Sequence, residues 1–552
     1  MKVIIIGGVA GGASAAARLR RLDENAEIIM FERGQYISFA NCGLPYHIGG
    51  FIPNADDLNI QTPDKFRNRL NVDVRELQMV TEIRRAEKEV VVRNLATDET
   101  YVESYDKLIL ATGAYPFVPN IPGVDLPNVF TLRTIPDTIK IRQMVENNPE
   151  SCAVIGGGFV GLEMAENLSH AGLKVNLVDM ADHVMPAMDY DMAVDAHKHL
   201  IEKGVGLYLG NGLTAIEQEG KKLRVKMQDG ELLVDLVVLA IGVRPETELA
   251  AACGLELTAK KTVVVDEHLL TSDPNIYAVG DIVQTNNIIT GKPGHTPLAG
   301  PANRQGRIAA DNICGIPSTY KGSQGTAISK AFDISLGMTG LSEAAAKAEG
   351  YDYGKVYLWQ KDHAAFYPGA EYFSSKVIYN KADGRILGAQ FVGFDGIDKH
   401  TDVFAMAIRT GMTAKDLIDA ELAYGPPYNT AKDVANMAGF LIENIMEGRL
   451  EQIECTEFDS FVAENNAQVI DVRPVELFMM GYIQGSTSMQ LAQLRKKMKK
   501  IDKERPVVLV CEMGLNGYNA YRALIQNGFK CYNLSGGYRL YEALGLVQED
   551  DE

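Results

Sequence analysis

The chain has 552 residues, 46% of them hydrophobic and 23% charged, and a formal net charge of −18. This length suits three to four domains, and the acidic balance argues against nucleic acid as the main partner, because phosphate binding needs a basic surface. No apolar run approaches a membrane span, and residues 1–6 are too short and too soon broken by glycine for a secretory signal, so a cytoplasmic protein is expected.

Residues 3–6 form a short apolar run suited to a buried parallel strand. Gly7, Gly8, Val9, Ala10, Gly11 and Gly12 follow as a turn. An Ala- and Arg-rich stretch predicts a helix over 13–22, and residues 28–31 predict a strand ending at Glu32. The pattern then repeats. Residues 152–155 lead into Gly156-Gly157-Gly158-Phe159-Val160-Gly161, a helix runs to about His170, and a strand over 174–178 ends at Asp179. Such a unit sets backbone N–H groups and a positive helix end against a pyrophosphate, and its acid takes up the ribose hydroxyls. Glu32 and Asp179 stand at the required spacing, about twenty residues past Gly12 and Gly161. The first copy departs once, with Val9 where the second has Gly158. Asp179 repels a 2′-phosphate, and Met180 and Ala181 offer no arginine to hold one, so NADH is predicted over NADPH.

Two more strand ends repeat, over 108–113 and 237–242. Between about 322 and 445, strand-like runs (376–379, 386–392) mix with helix-like ones (402–410, 432–447), as in an α+β domain. A new alternating α/β pattern occupies 458–546.

Seven scattered cysteines, at 42, 152, 253, 314, 455, 511 and 531, do not read as a disulfide framework. Cys42 lies in Ser38-Phe39-Ala40-Asn41-Cys42-Gly43-Leu44-Pro45 with no second cysteine nearby, so its redox partner is not a neighbouring protein thiol. Arg18 and Arg21 share one helical face, which offers phosphate-binding guanidinium groups or a solvated basic surface. The strand 507–510 ends at Cys511, before Glu512-Met513-Gly514-Leu515-Asn516-Gly517 and a helix from about Tyr518. Loop N–H groups and a helix N-terminus facing a thiol predict a favoured thiolate. Cys531 reads as core, and the basic run 495–500 as a solvated helix face or an attractor for an anionic ligand.

The segment Thr271-Ser272-Asp273-Pro274-Asn275-Ile276-Tyr277-Ala278-Val279-Gly280-Asp281, together with the two glycine turns, resembles the pyridine nucleotide–disulfide oxidoreductases over residues 1 to about 445. The resemblance implies FAD at the first site, NAD(P)H at the second and a C-terminal dimerisation domain that completes the partner subunit's active site. The nucleotide contacts it implies are Gly7, Gly8, Val9, Ala10, Gly12, Glu32, Arg33, Val80, Ala111, Thr112, Gly113, Gly156, Gly158, Phe159, Val160, Gly161, Glu163, Asp179, Gly242, Gly280, Asp281, Pro297, Leu298 and Ala299. The single cysteine places the chain beside NADH oxidases, NADH peroxidases and coenzyme A disulfide reductases. Ala10 stands where the oxidase and peroxidase branch has a histidine, and Ser38 to Tyr46 resembles the coenzyme A disulfide reductase motif.

That resemblance implies Cys42 as the redox thiol and Ser14, Arg18, Arg21, Ser38, Asn41 and Lys432 as coenzyme A contacts. Tyr424 is implied beside the sulfur. A second tyrosine is expected near His363 to Gly369, where the register admits Phe366 or Tyr367 and Tyr367 is taken. Val469-Ile470-Asp471-Val472-Arg473, Gly481 to Ser486 and the Cys511 loop resemble single-domain rhodaneses, in which the cysteine carries sulfur as a persulfide. Glu512 and Asn516 replace the basic residues of thiosulfate-using members, so thiosulfate is not the expected donor.

The expected architecture is α/β. It comprises an FAD domain (1–118 and 248–321), an NAD domain (119–247), an α+β dimerisation domain (322–446), a linker (447–456) and a rhodanese domain (457–552). The expected activity is NADH-dependent reduction of coenzyme A persulfide, polysulfide or coenzyme A disulfide at Cys42, with Cys511 handling sulfane sulfur. The expected state is a homodimer that binds no metal, nucleic acid or membrane. The alternatives are an NADH oxidase or peroxidase, and a sulfur carrier delivering to a protein partner.

Overall fold

The computed structural model describes residues 1–547, so the last five residues of the expected rhodanese domain lie outside the described part. The chain divides into two compact units: Met1–Asp182 with Gly204–Gly325, and His183–Lys203 with Thr326–Glu552.

The first unit holds two parallel five-stranded sheets of one pattern. In the first, Lys2–Ile6 sits between Lys107–Leu110 and Glu27–Glu32, with Ile276–Ala278 and Asp73–Glu76 at the edges. In the second, Ser151–Ile155 sits between Leu236–Leu239 and Lys174–Val178, flanked by Val129–Thr131 and Gly206–Tyr208. The central strands are apolar over 3–6 and 152–155 because both faces of each sheet are covered: Val3 and Ile5 pack on helix residues such as Ala16 and Ala309, while Ile4 and Ile6 pack on Val90 and Val92, and Ala153 and Ile155 on Leu223 and Val225, of antiparallel strands. Val3, Ile4 and Ile5, like Cys152, Ala153 and Val154, are fully buried. An antiparallel three-stranded meander accompanies each sheet: Gln78–Arg84 with Glu89–Asn94 and Thr100–Ser104, and Leu213–Glu219 with Lys222–Met227 and Glu231–Val234. The returning segments pair as a short ribbon, Ala114–Pro116 against Val243–Pro245.

Helix Ala10–Leu22 lies close against helix Ala299–Ile313. Glycine permits that approach, since a Cβ on Gly306 would strike the Gly11 carbonyl.

The second unit joins two sheets. An antiparallel sheet runs Ala327–Ala331, Ile334–Gly340, Ile386–Gly393, Tyr372–Asn380, Tyr353–Lys361. Helices Ile397–Thr410 and Tyr190–Glu202 pack on it. A parallel sheet follows in the order Gln452–Ile453, Cys531–Leu534, Val507–Val510, Gln468–Asp471, Thr487–Ser488. The two sheets share apolar packing. Tyr357 and Trp359 meet Ile453, Phe458 and Tyr538, while Leu441 and Ile445 of helix Val434–Met446 cover the core around Leu450 and Tyr521. The expected linker is ordered, with Leu450, Ile453 and Cys455 buried.

Charge reinforces this junction. The fully buried Lys376 Nζ lies 3.1 Å from Asp189, 2.7 Å from Asp191 and 2.7 Å from Glu343. Lys355 joins Glu343 at 2.9 Å to Glu454 at 3.3 Å. Burial raises the Glu343 carboxyl, but Lys376 and Lys355 overcome it and hold the group down to about 2.

Several elements start at different residues than expected. The helix expected at 402–410 begins at Ile397, directly after Gly396 turns the chain at φ +72°. The helix expected at 432–447 spans Val434–Met446, because the Asp433 side chain caps it by accepting from the Ala435 N–H. The helix after Cys511 begins at Leu515 rather than Tyr518. Among the described residues no helix is long and apolar enough to cross a membrane.

Candidate active site

The two glycine turns agree bond for bond. Gly7 and Gly156 adopt φ +102° and +107°, and a Cβ on either would strike a backbone carbonyl, that of Ala111 or Ala240. Glu32 accepts the N–H of Gly8 at 3.0 Å and of Gly34 at 2.8 Å. Asp179 accepts the N–H of Gly157 at 2.5 Å and of Ala181 at 2.8 Å. Each acid is thereby held beside its turn and the N-terminus of helix Ala10–Leu22 or Phe159–His170. Val9 and Gly158 both serve as N-cap, with neighbouring ψ of −141° and −166°, so the valine keeps the turn intact. Among the described residues nothing lies within 4 Å of a Cβ built on Gly158, which leaves that backbone open to a ligand. Phe159 and Val160 open the second helix, and Val160 is exposed.

Around the first turn, Thr112 Oγ1 donates to the Glu246 carbonyl at 2.6 Å. Arg33 grips the Glu246 carboxylate at 2.5 and 2.8 Å. Val80 is buried in the core with Phe31, and Ala111 packs at the edge of a neighbouring cluster. Gly113, Gly242 and Gly280 take left-handed φ of +76°, +101° and +83°. The N–H of Gly280 donates to Gln305 at 2.7 Å, and Asp281 follows in a single 3₁₀ turn. Burial pushes the Asp281 carboxyl up, with His295 and Arg133 opposing. Thr296 to Ala299 enter helix Ala299–Ile313, with the Leu298 N–H on the Thr296 carbonyl and Pro297 between them.

Arg133 was not anticipated. Its Nη2 donates to the Thr112 carbonyl at 3.3 Å and lies 3.4 Å from Glu246. Its Nη1 is buried and has no hydrogen-bond partner among the described residues. A permanent cation with a spare N–H, beside Gly113 and within the field of Glu32 and Asp281, suits an anionic group such as a pyrophosphate. The only sequence signal is one arginine closing the run Val129-Phe130-Thr131-Leu132-Arg133.

Cys42 sits in the 3₁₀ turn Asn41–Gly43, which leads into helix Leu44–Ile48. The turn is tied to the first glycine loop, since the Ser38 N–H donates to the Gly8 carbonyl at 2.8 Å. Ser38 takes a left-handed φ of +44°, a strained conformation for a residue with a Cβ. The Asn41 N–H donates to the Phe39 carbonyl at 3.1 Å. Cys42 is exposed. Surrounding protein, then the charges of Glu163 and Asp281, push its thiol above the usual range. Burial, then Glu166, lifts Glu163 itself to about 7.

The three arginines of helix Ala10–Leu22 differ in role. Arg20 is buried and donates to the carbonyls of Leu70, Asp23, Glu24, Ala26 and Asn71, so it is structural. Arg18 Nε pairs with Asp311 at 2.6 Å, and Ser14 bonds Asn303 at 2.5 Å. Arg21 is exposed.

In the second unit, Tyr424, Tyr367 and Lys432 are exposed, and Phe366 more so. The Ala364 N–H donates to the Pro426 carbonyl at 3.2 Å, which joins the two tyrosine-bearing loops. Tyr367 packs edge-on against His363, with ring centroids 5.6 Å apart.

Cys511 lies at the end of strand Val507–Val510, and its sulfur accepts the Gly514 N–H at 3.1 Å. The expected cradle exists, for the amides of Gly517, Gly514, Met513 and Asn516 all pull the thiol down. The expected favoured thiolate does not follow. Burial outweighs the cradle and pushes the Cys511 thiol up, because only 2% of the residue is exposed. Arg473 is held by Asp471 at 2.8 Å and meets Glu512 at 3.2 Å. Cys531 is buried in its strand, as expected for a core residue.

Comparison with known proteins adds three domain matches. Residues 1–306 match the pyridine nucleotide-disulphide oxidoreductase model, residues 326–435 the dimerisation domain of the same family, and residues 454–544 a rhodanese-like domain. A coenzyme A disulfide reductase of Staphylococcus aureus is 35% identical over 441 residues, 80% of this chain and 99% of that protein. The crystal structure of reduced Bacillus anthracis CoADR-RHD aligns with a TM-score of 0.96 at 44% identity, over 99% of this chain and 98% of that one. A NAD-dependent persulfide reductase from A. fulgidus aligns with a TM-score of 0.93 at 36% identity, over 98% and 100%.

Proposed function

Because this chain belongs to the pyridine nucleotide-disulphide oxidoreductase family, we propose that it reduces sulfur–sulfur bonds of coenzyme A persulfide, polysulfide or coenzyme A disulfide with NADH. The observation that carries this reading is a lone Cys42 fastened to the first nucleotide turn, in one chain with a second thiol held in a cradle of amides.

We assign FAD to residues 1–118 and 248–321 and NADH to 119–247. The duplicated turns, the two acids and the spare N–H of Arg133 support that assignment. FAD held there would supply two-electron transfer from NADH to a sulfur bond. The protein's part begins at the Cys42 sulfur. As thiolate it attacks one sulfur of the substrate, a Cys42–S bond forms, the substrate S–S bond breaks, and the departing thiolate takes a proton. Two electrons then cleave the mixed disulfide and return Cys42. The sum is NADH, one proton and the disulfide giving NAD⁺ and two thiols. With a persulfide as substrate the products are one thiol and hydrogen sulfide.

Burial, then the charge of Glu163, favours the Cys42 thiol, and Glu163 is near half-protonated at neutral pH, which relaxes the second of these. Tyr424 and Tyr367 are the assigned proton donors, and Arg18, Arg21 and Lys432 the assigned anchors for coenzyme A phosphates. In a homodimer the loops bearing Tyr424 and Tyr367 complete the partner's site. Cys511 takes up sulfane sulfur, and the carboxylate of Glu512 disfavours a dianion such as thiosulfate as its source. The protein is assigned to the cytoplasm.

Steady-state NADH oxidation with coenzyme A disulfide, coenzyme A persulfide and inorganic polysulfide tests this in wild type, Cys42→Ser and Cys511→Ser. Cys42→Ser loses turnover on all three. Cys511→Ser keeps the disulfide rate and loses rate on a sulfane sulfur substrate. Full activity of Cys42→Ser ends the proposal, and an unaffected Cys511→Ser ends the role of the second thiol. Rapid oxygen uptake without a thiol substrate would favour an oxidase.

A further inference from the structure

Tyr424 leaves an irregular loop, residues 420–433, between helices Ala414–Asp419 and Val434–Met446. Its ring is half exposed, so the backbone beneath it has to set its direction. A loop without secondary structure leaves such a ring free to wander unless side chains hold the main chain.

Here several side chains do so, Lys399 on the Tyr428 carbonyl and Gln360 on the Lys432 carbonyl among them, and Asn429 holds the peptide next to Tyr424. Asn429 is 3% exposed and uses both amide hydrogens. Nδ2 donates to the Ala423 carbonyl at 3.3 Å and to Asp433 Oδ2 at 2.5 Å. Asn429 Oδ1 accepts the N–H of Thr430 at 2.9 Å. Asp433 is itself fixed as the cap of helix Val434–Met446, with Oδ1 on the Ala435 N–H at 2.9 Å and its own N–H on Asn436 Oδ1 at 3.1 Å. Between Ala423 and Asn429 the chain makes a tight Gly425-Pro426-Pro427 turn, closed by the N–H groups of Tyr428 and Asn429 on the Gly425 carbonyl. Asn436 holds the loop's other end through the Ala420 carbonyl at 2.9 Å.

We propose that Asn429 is a positioning residue for Tyr424, fixing the carbonyl that precedes the tyrosine to the capped end of helix Val434–Met446. This rests on the reading that Tyr424 protonates the leaving sulfur. Asn429 touches no reacting atom. It acts by holding the Ala423–Tyr424 peptide to a rigid helix, so its loss slows the proton-transfer step and leaves ground-state binding alone.

The test is a double-mutant cycle in the full-length, flavin-loaded protein, read as kcat and KM for NADH oxidation with coenzyme A disulfide. Tyr424→Phe lowers kcat by about 10²-fold, the scale of one general acid. Asn429→Ala, and the isosteric Asn429→Asp that lacks both donors, lower kcat by about 10-fold or more with little change in KM. In the Tyr424→Phe background either substitution costs less than about threefold further, the non-additivity of residues acting through one group. Flavin content is unchanged, and the aspartate variant decides should the alanine variant lose flavin. A wild-type kcat in both Asn429 variants, or a fully additive loss, overturns the inference while the Tyr424 assignment stands. A wild-type kcat for Tyr424→Phe overturns both.

Discussion

Arg473 Nη1 lies 3.2 Å from Glu512 Oε2, so the residue that follows Cys511 presents a carboxylate already tied to a buried guanidinium. Glu512 is partly exposed and directly follows Cys511 in the chain, so its charge stands to oppose an anionic sulfur donor. Glu512→Gln raises sulfur transfer from thiosulfate to cyanide by about fivefold, the scale of one removed charge at a partly solvated site. Arg473 keeps Asp471, so the fold is unaffected. An unchanged thiosulfate rate would show that charge at this position does not select the donor.

Lys376→Met leaves Asp189, Asp191 and Glu343 facing one another without their shared cation. The expected loss is about 3–5 kcal/mol, read from the denaturant midpoint of the unit that contains them. The wild type carries a matching pH signature. The folded value of Glu343, about 2, lies below its unfolded one. Its stabilisation is complete above the ordinary carboxylate range and is lost as pH falls through about 2. In Lys376→Met the loss begins at higher pH.

Gly12 and Gly161 permit a separate assay of the two nucleotide turns. A Cβ on Gly12 would land on the Gly7 carbonyl, and one on Gly161 on the Gly156 carbonyl. Gly12→Ala lowers the flavin-to-protein absorbance ratio of the purified protein. Gly161→Ala keeps its flavin, but NADH reduces it about 10²-fold more slowly. If either variant shows the other's defect, the two sites are assigned the wrong way round.

Glu163 carries a fourth test. It raises the Cys42 thiol, after burial, and titrates at about 7. Glu163→Gln removes that charge, lowers the thiol value and speeds alkylation by iodoacetamide about three- to tenfold. The wild-type carboxylate gains charge as pH rises through about 7, so the gap between variant and wild type widens there. A constant ratio across that range would place Glu163 out of range of the sulfur.

The turns were legible because their chemistry is local. A glycine forced to φ +102° and an acid that must accept its neighbours' N–H groups leave marks within one strand–turn–helix unit. The Cys511 cradle was legible for the same reason, since its amides come from the next six residues. The direction in which its thiol moves was not, because burial is a property of packing. Arg18 illustrates the same limit, its partner Asp311 lying on a different helix. Arg133 shows locally only as an arginine closing an apolar run, for its spare N–H has meaning only beside Thr112, Glu246 and Asp281. Lys376 reads as one polar residue in a strand, and its three carboxylates come from two distant segments.

The packing of Tyr357, Trp359, Leu441 and Ile445 against the C-terminal sheet bears on how this protein can be altered. A chain ending after Gly448 would bare all four at once, and a C-terminal piece made alone would bare Ile453, Phe458 and Tyr538. Each half would carry an adhesive face that draws copies together. Shortening, lengthening or exchanging residues 447–456 is therefore not a neutral way to recombine the two parts. The halves are inherited, expressed and folded as one object, and a transplanted sulfur domain would need a surface rewritten to match its new host.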